Sequence, residues 1–462
     1  MEAARQNIFG KLNYGIGELR SAQAGESRRG IGQSGERTGR RQIGSVPGAG
    51  QVQAHVHRFL FRAKQEFAGA SQNVTGWLRL CFSLALIAII VALSSIGFVT
   101  YVIVLYPLLL GVLARRRTLP AASKPSSLPT VSIILPVHNG GDFIRAKLET
   151  LFALDYPAEL LQILVISDGS TDSTDELVRT YGGGRVELIR VPQRGKPMAL
   201  NAGLARASGE VLFYTDVRQA LSPNTLRDLI GRLQDPQVGV VTGELVIRSS
   251  AAEGPGLYWR YEFWIRSSLS RLGVLQGATG CIYAMRREYA VAIPEYILAD
   301  DVYLPLAAFV RGKKILLEPA AKAFDYPTVL GVEFRRKVRT LAGVYQVIGA
   351  YPRLIWPGSR GALHFLSHKV GRLFLPFALL VLLVSSFWIP APWGAILLAC
   401  QAAVYGLALL GMVLPDGFPL RRVAGAASTF VVLMAAALCA TLALFVPARR
   451  LWKQTAIRQP QT

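Results

Sequence analysis

Five short acidic and basic signatures follow one another through the middle of this chain. They are Ser167-Asp168-Gly169-Ser170, Arg194-Gly195-Lys196-Pro197, Thr215-Asp216-Val217-Arg218, Asp300-Asp301 and Arg336-Lys337-Val338-Arg339-Thr340. Taken singly, each has a plain structural reading: an Asx turn, a helix cap, an acidic helix start or a basic membrane-surface helix. Taken in series, they supply carboxylates for a divalent cation or a proton and cations for phosphate oxygens. That inventory suits a nucleotide diphosphate, a metal and a carboxylate base.

The elements that must hold these residues are legible as short apolar runs. Val131–Val137 and Leu161–Ser167 end in polar turns, and Ile144, Leu148 and Leu151 recur at helical spacing between them. Further strands are expected at Val186–Val191, Val211–Thr215, Val238–Thr242 and Ile315–Glu318, with helices near 195–206 and 222–234. Such alternation predicts a mostly parallel α/β sheet with helices on both faces. Ligands of these sheets bind beyond the carboxyl ends of the strands, where Asp168 and Asp216 fall.

Composition places this sheet beside a membrane. The 462 residues are 51% hydrophobic, with mean hydropathy +0.34, too apolar for an ordinary soluble enzyme. Leu80 to Ala114 carries no charge, and at ~1.5 Å per residue it exceeds a bilayer core of roughly 30 Å. Two arrangements fit: one main span at about 91–113, the favoured one, or two short spans meeting near Ser94-Ser95-Ile96-Gly97. Arg115-Arg116-Arg117 marks the cytoplasmic side. Later spans are expected at Leu373–Ile389, Trp393–Leu414 and Ala424–Val446; if all three cross, the basic C-terminus with Arg449, Arg450 and Lys453 ends outside, against the positive-inside tendency.

The net charge of +22 is uneven. Residues 1–64 hold 11 Lys or Arg against 4 Glu, and their Gly, Ser, Arg and Gln content reads as a disordered basic tail without a secretory h-region. No helix-turn-helix, zinc-finger or RNA-recognition signature accompanies the charge, so a nucleic-acid partner is not expected. Cys81, Cys281, Cys400 and Cys439 lack metal-ligand spacing, which fits a reduced, cytosolic catalytic domain. His364 and His368 stand four apart and read as membrane-surface residues.

Together the motifs resemble the family 2 inverting glycosyltransferases, in particular the membrane-embedded group that includes cellulose, chitin and hyaluronan synthases. The resemblance spans roughly residues 75–455. It implies an α/β GT-A (Rossmann-like) nucleotide-sugar domain inserted between transmembrane helices. By position, His138 in Leu135-Pro136-Val137-His138-Asn139 is a nucleotide neighbour, Asp168 contacts the nucleoside, and Lys196 meets a phosphate or base oxygen. Asp216 matches the first acid of Asp-x-Asp, the holder of Mg²⁺ or Mn²⁺, whereas Arg218 stands in place of the second. Either Asp216 still binds the metal with diphosphate oxygens, or Arg218 contacts phosphate directly.

Gln276–Arg287 resembles the floor of the acceptor pocket, with Gly277, Thr279 and Gly280 lining it. Asp301 matches the catalytic base and Asp300 supports acceptor binding or raises its neighbour's pKa. Arg336 and Arg339 fall where processive synthases carry Gln-x-x-Arg-Trp; Arg339 matches the diphosphate-gripping arginine, while Thr340 replaces the Trp on which an acceptor sugar would stack.

These residues set out a reading of the whole chain. The expected order is tail 1–65, membrane segment(s) 78–115, catalytic domain 125–330, interfacial helices 331–370, membrane helices 371–448 and basic tail 449–462. The expected activity is sugar transfer from a UDP-sugar to a saccharide or lipid-linked acceptor in extracellular polysaccharide synthesis. Its setting is a bacterial inner (plasma) membrane, with membrane lipid as a partner and the catalytic domain in the cytoplasm. Rival readings are single-sugar transfer to a polyprenyl phosphate or glycolipid, and a nucleotide-binding scaffold without turnover. A transporter is disfavoured by the large soluble domain and by spans without charge pairs.

Overall fold

A computed structural model describes residues 49–119, 127–248, 257–326, 330–415 and 418–446. The chain separates into two compact units, Met1–Leu78 and Arg79–Thr462, and every signature described above lies in the second. Helix α1 (Ala49–Thr100) begins inside the stretch expected to be disordered. Its early residues place Val52, Val56, Phe59 and Ala63 at helical spacing, a periodicity that the surrounding Gly, Gln, His and Arg obscure. The basic segments at 1–48 and 447–462 lie outside the described residues.

The first apolar stretch is a single helical course. A π turn at Tyr101–Leu105 joins α1 to α2 (Tyr106–Arg115), directly before Pro107. Proline lacks an N–H and its ring crowds the preceding turn, and a widened turn absorbs both effects. The course Arg79–Arg115 is unbroken at Ser94–Gly97, in place of two short spans.

The central layer is one eight-stranded sheet, ordered β3-β2-β1-β4-β7-β6-β8-β5. In chain order the strands are β1 (Val131–Val137), β2 (Leu161–Asp168), β3 (Val186–Val191), β4 (Val211–Tyr214), β5 (Ala220–Leu221), β6 (Val238–Ile247), β7 (Tyr283–Arg286) and β8 (Lys314–Asp325). The helices are α3 (Gly141–Phe152), α4 (Thr174–Gly182), α5 (Lys196–Arg206), α6 (Thr225–Leu233), α7 (Leu257–Arg271) and α8 (Asp300–Val310). Strands β3, β2, β1 and β4 are mutually parallel. The sheet then becomes mixed, because β7 runs antiparallel to both β4 and β6. Four buried or nearly buried residues in β7 and only two in β5 leave no alternation to read, which is why neither strand was expected.

Two apolar cores sandwich the sheet. One includes Ile144 and Leu148 of α3, Val178 of α4 and Leu229 of α6. The other joins Ile134, Leu164 and Tyr214 of the sheet to Leu200 of α5 and Ile265 of α7, and it also contains Tyr106 and Leu110 of α2 and Phe365 and Leu373 further on. A Cβ on Gly111 would stand 2.8 Å from the Trp264 ring, so α2 packs closely against α7. Membrane-side helices thus supply part of the enzyme-like layer's own interior.

After β8 come α9 (Leu330–Ala350), α10 (Ala362–Ser386, with a π turn at Phe365–Val370), α11 (Trp393–Val413) and α12 (Arg421–Ala440). The expected boundary at 370 between surface helix and span is absent, since α10 runs through it. Among the described residues, four helices are long and apolar enough to cross a membrane: Arg79–Arg115, Ala362–Ser386, Trp393–Val413 and Val423–Ala440. Their outer faces leave Val112, Phe374 and Leu409 exposed, a pattern that lipid can cover and water cannot.

The far edge of the sheet is closed by charge. Asp325 ends β8 almost fully buried, paired with Arg218 and accepting a 2.8 Å bond from Gln219 Nε2. Removing one partner of a buried pair strands the other, at a cost of roughly 3 kcal/mol. Asp325→Ala should therefore lower unfolding stability by about that amount, and Arg218→Met with Asp325→Leu should recover most of it. Denaturant unfolding in detergent checks this; an unchanged midpoint for Asp325→Ala would show that the pair contributes nothing.

Candidate active site

The site is assembled at the carboxyl ends of β1, β2 and β4. Asp168 closes β2, and its two carboxylate oxygens accept the backbone N–H groups of Arg194 at 2.8 Å and Gly195 at 2.9 Å. Its side chain therefore shapes the 193–196 loop, a positioning role that position alone does not reveal. Gly169 makes the approach possible: it adopts φ +64, and a Cβ there would stand 2.8 Å from Gln193 Cβ. His138 Nδ1 is hydrogen-bonded to the Asp168 carbonyl, and its Nε2 lies 3.4 Å from Gln193 Nε2. His138 and Asp168 thus sit together at the adjacent ends of β1 and β2.

The loop delivers Lys196 to the head of α5, after Gly195 turns with φ +95. Lys196 Nζ lies 3.0 Å from Asp216 Oδ1 and 3.2 Å from Asp300 Oδ2. Burial opposes the Lys196 charge, but Asp216, Asp300 and Asp301 together outweigh it and raise its pKa. In this structure the lysine is a counter-ion to acids rather than a group waiting on a phosphate. Asp300, nearly buried, has its pKa raised by that burial, with Lys196 pulling it down and Asp301 and Asp216 pushing it up. Beneath them Tyr214 and Tyr283 stack at 4.7 Å between ring centroids.

Asp300 and Asp301 open α8, where exposed helix N–H groups favour acids. The Asp301 carbonyl accepts Ala278 N at 2.7 Å, which holds the 276–280 loop against the helix. A Cβ on Gly280 would stand 3.2 Å from Asp301 Oδ2, so only a small residue leaves that carboxylate approachable. Thr279 is fixed by Arg266 Nη1 at 2.8 Å and by its own N–H on Thr242 Oγ1 at 2.8 Å. Gly277 (φ +136) also borders Asp301, since a Cβ there would lie 3.7 Å from the Asp301 carbonyl.

Two expected contacts are redrawn. Arg218 turns to Asp325, because a nearly buried carboxylate at the sheet edge outcompetes a site on the other side of the turn. Asp216 is thereby left as the acid of that motif beside Lys196. His368 is not a membrane-surface residue: it is 7% exposed, and His364 shares a 3.2 Å contact with the Tyr106 hydroxyl. On α9, Arg336 and Lys337 lie near Glu333, at 3.9 and 3.4 Å, and the charge of Arg336 reaches buried Cys281. Arg339 lies half-buried on the same helix. Thr340 is exposed, with its hydroxyl on the Arg336 carbonyl at 3.0 Å.

Lys147 is the residue that motif reading missed. Its Nζ is buried and donates to Thr215 Oγ1 and to the Gln219 carbonyl, both at 2.7 Å. Thr215 then donates to the Cys281 carbonyl at 2.9 Å, so this chain of bonds ties the Asp216 turn to the end of the 276–281 loop. The signal was available: Lys147 falls within the stripe of Ile144, Leu148 and Leu151, where a lysine must find partners indoors.

Residues 132–292 match the family model described as Glycosyl transferase family 2. The surrounding fold is GT-A-like, a Rossmann-type α/β layer with a mixed sheet. A probable glycosyltransferase YdaM of Bacillus subtilis is 27% identical over 237 residues, covering 48% of this chain and 56% of that protein. A poly-beta-1,6-N-acetyl-D-glucosamine synthase of Staphylococcus aureus is 28% identical over 234 residues, with the same coverage. The chain therefore spans little more than half the length of these curated relatives. Among solved structures, the mannosyltransferase PcManGT from Pyrobaculum calidifontis, in complex with GDP-Man and Mn²⁺, aligns with TM-score 0.62 at 23% identity. That alignment covers 78% of this chain and 98% of the mannosyltransferase.

Burial pushes the Lys147 pKa down to about 7 from 10.5, against the pull of Cys281 and Asp216. Between those two values the unfolded chain holds a proton that the folded chain lacks, so this group makes stability rise with pH across the window. Lys147→Met should abolish that rise. Unfolding midpoints of both proteins measured through the window decide it, and parallel curves would mean that Lys147 titrates normally.

Proposed function

We propose that the chain is a membrane-embedded inverting glycosyltransferase that moves a sugar from a UDP-sugar to a saccharide or lipid-linked acceptor in extracellular polysaccharide synthesis. The observation that carries this is the setting of Asp301: a carboxylate at a helix head, faced by Gly280, with Lys196, Asp216 and Asp300 grouped beside it. The acceptor hydroxyl attacks the donor's anomeric carbon. Its oxygen–carbon bond forms as the bond to the diphosphate breaks; the proton passes to Asp301 and the electron pair leaves with the nucleotide. One displacement inverts the anomeric centre.

Lys196 holds Asp216 and Asp300 near each other before the donor arrives, and Asp168 holds the loop that delivers Lys196. A divalent ion fits this group. Among the described residues no three ligating side chains converge on one point, yet three carboxylates share one ammonium. Magnesium sites of this kind use one or two protein carboxylates plus substrate phosphates. Asp216 would hold the ion, Mg²⁺ or Mn²⁺, which when bound would neutralise the leaving diphosphate. The Mn²⁺ in the mannosyltransferase complex supports the metal, and the Staphylococcus synthase supports a polysaccharide product. The GDP-mannose in that complex makes GDP-sugars the necessary control for the UDP assignment. Arg115-Arg116-Arg117 at the end of the first span supports a cytoplasmic catalytic domain.

Single-sugar transfer is the second reading, and α9 favours it. Thr340 offers no aromatic face, and the nearby rings of Tyr258 and Trp259 are covered by Lys337 Nζ at 5.1 and 5.3 Å. A growing glycan would lack a stacking platform at that position.

Full-length protein in lipid should release nucleotide and form product from a labelled UDP-sugar, whereas Asp301→Asn should be slower by ~10³-fold with donor affinity unchanged. Sizing the product separates a long glycan from a single transfer. Turnover of GDP-sugars alone would replace the UDP assignment, and wild-type rates from Asp301→Asn would remove the proposed base. Nucleotide binding without turnover of any donor would favour a scaffold.

A further inference from the structure

Where the head of α10 meets the 276–280 loop there is a small cavity of about 40 Å³, lined by Arg266, Gln276, Gly277, Ala278, His368 and Lys369. Arg266 uses Nη1 on Thr279, while Nη2 is buried without a hydrogen-bond partner. His368 Nε2 is also buried and unpartnered. Glu262 Oε1 stands 3.9 Å from it, beyond hydrogen-bond distance. The other Glu262 oxygen is held by Arg372 at 2.7 Å. A Cβ on Gly277 would lie 3.6 Å from Lys369 Nζ and 3.7 Å from the Asp301 carbonyl, so the ammonium is separated from α8 by little more than the loop.

Each buried donor left without an acceptor costs about 1–3 kcal/mol, and one ligand could satisfy several here. A water needs about 10–15 Å³ of such space, so the cavity has room for about three oxygen atoms. The guanidinium fork of Arg266 and the ammonium of Lys369 suit a phosphoryl oxyanion, and His368 Nε2 adds a donor in the tautomer that protonates it. The electrostatic layout agrees. Arg266 and Lys369 both lie within reach of the Asp301 charge, and Glu262, held by Arg372, is the neighbouring counter-charge.

We infer that this cavity holds a phosphoryl group of the acceptor, gripped by Arg266, His368 and Lys369, and that this contact sets the acceptor hydroxyl before Asp301. The role as an acceptor subsite rests on the glycosyltransferase reading; the phosphoryl site itself does not. The phosphate has two sources, a lipid at the bilayer surface or a soluble phosphorylated compound, and the chemistry of recognition is the same for both.

The test is binding without any sugar donor, by calorimetry on the full-length protein in detergent, with dodecyl phosphate and inorganic phosphate as probes. Dodecyl phosphate should bind, Lys369→Met should weaken it roughly tenfold or more, and Lys369→Arg should restore it. Unchanged UDP affinity in Lys369→Met shows that the variant is folded. A clear preference for dodecyl phosphate assigns the group to a lipid, and equal affinity for inorganic phosphate assigns it to a soluble anion. No binding by the wild type, or equal binding by Lys369→Met, would overturn the site. Binding that persists in a chain unable to transfer any sugar would sink the glycosyltransferase reading and leave the phosphoryl site standing.

Discussion

The Lys196 ammonium is the charge on which the site depends. Two carboxylates ~4 Å apart repel by about 4 kcal/mol at an effective dielectric near 20, and three acids converge here. Lys196 makes that convergence tolerable, and its own place is set at one remove by Asp168, which fastens the Arg194 and Gly195 amides. A residue at the end of β2 thereby controls the electrostatics at the end of β4 and the head of α8. The sheet must bring all three segments to one rim before any of these charges can balance.

A second set of bonds works beneath the first. Lys147, Thr215 and the Cys281 carbonyl form a buried chain that joins the outer helical layer to the loop beside Asp301. Buried polar groups of this kind are costly when half-satisfied and rigid when complete. Here both ends are made, so the Asp216 turn and the 276–281 loop are tied to each other.

The parallel half of the sheet was legible because its strands are continuous apolar runs that end in polar turns, with β3 at its expected bounds, Val186–Val191. Its mixed half was not. Strand β7 is too short for a period, and β8 runs on through Pro319 to Asp325 in a way no local pattern announces. Lys196, Asp216, Asp300 and Asp301 come together, but their pairing did not follow from order along the chain. Arg218 reaches 107 residues ahead to Asp325, and Lys196 bridges acids that lie far apart in sequence. Long-range pairing of charges is a property of the folded surface, whereas periodicity reports only which side of an element is dry. Lys147 and His368 show the converse: a polar residue inside an apolar stripe is informative when its burial is taken seriously.

The core shared between Tyr106, Leu110 and Phe365 on the membrane side and Ile134, Leu164 and Tyr214 in the sheet bears on how the molecule can be taken apart. A fragment trimmed after residue 117 to free a water-soluble enzyme would be cut through its own interior. The bared sheet face would present aliphatic side chains to water and invite self-association. Dissection of this protein is therefore a question of where its hydrophobic interior closes, and that boundary lies within the lipid-facing helices.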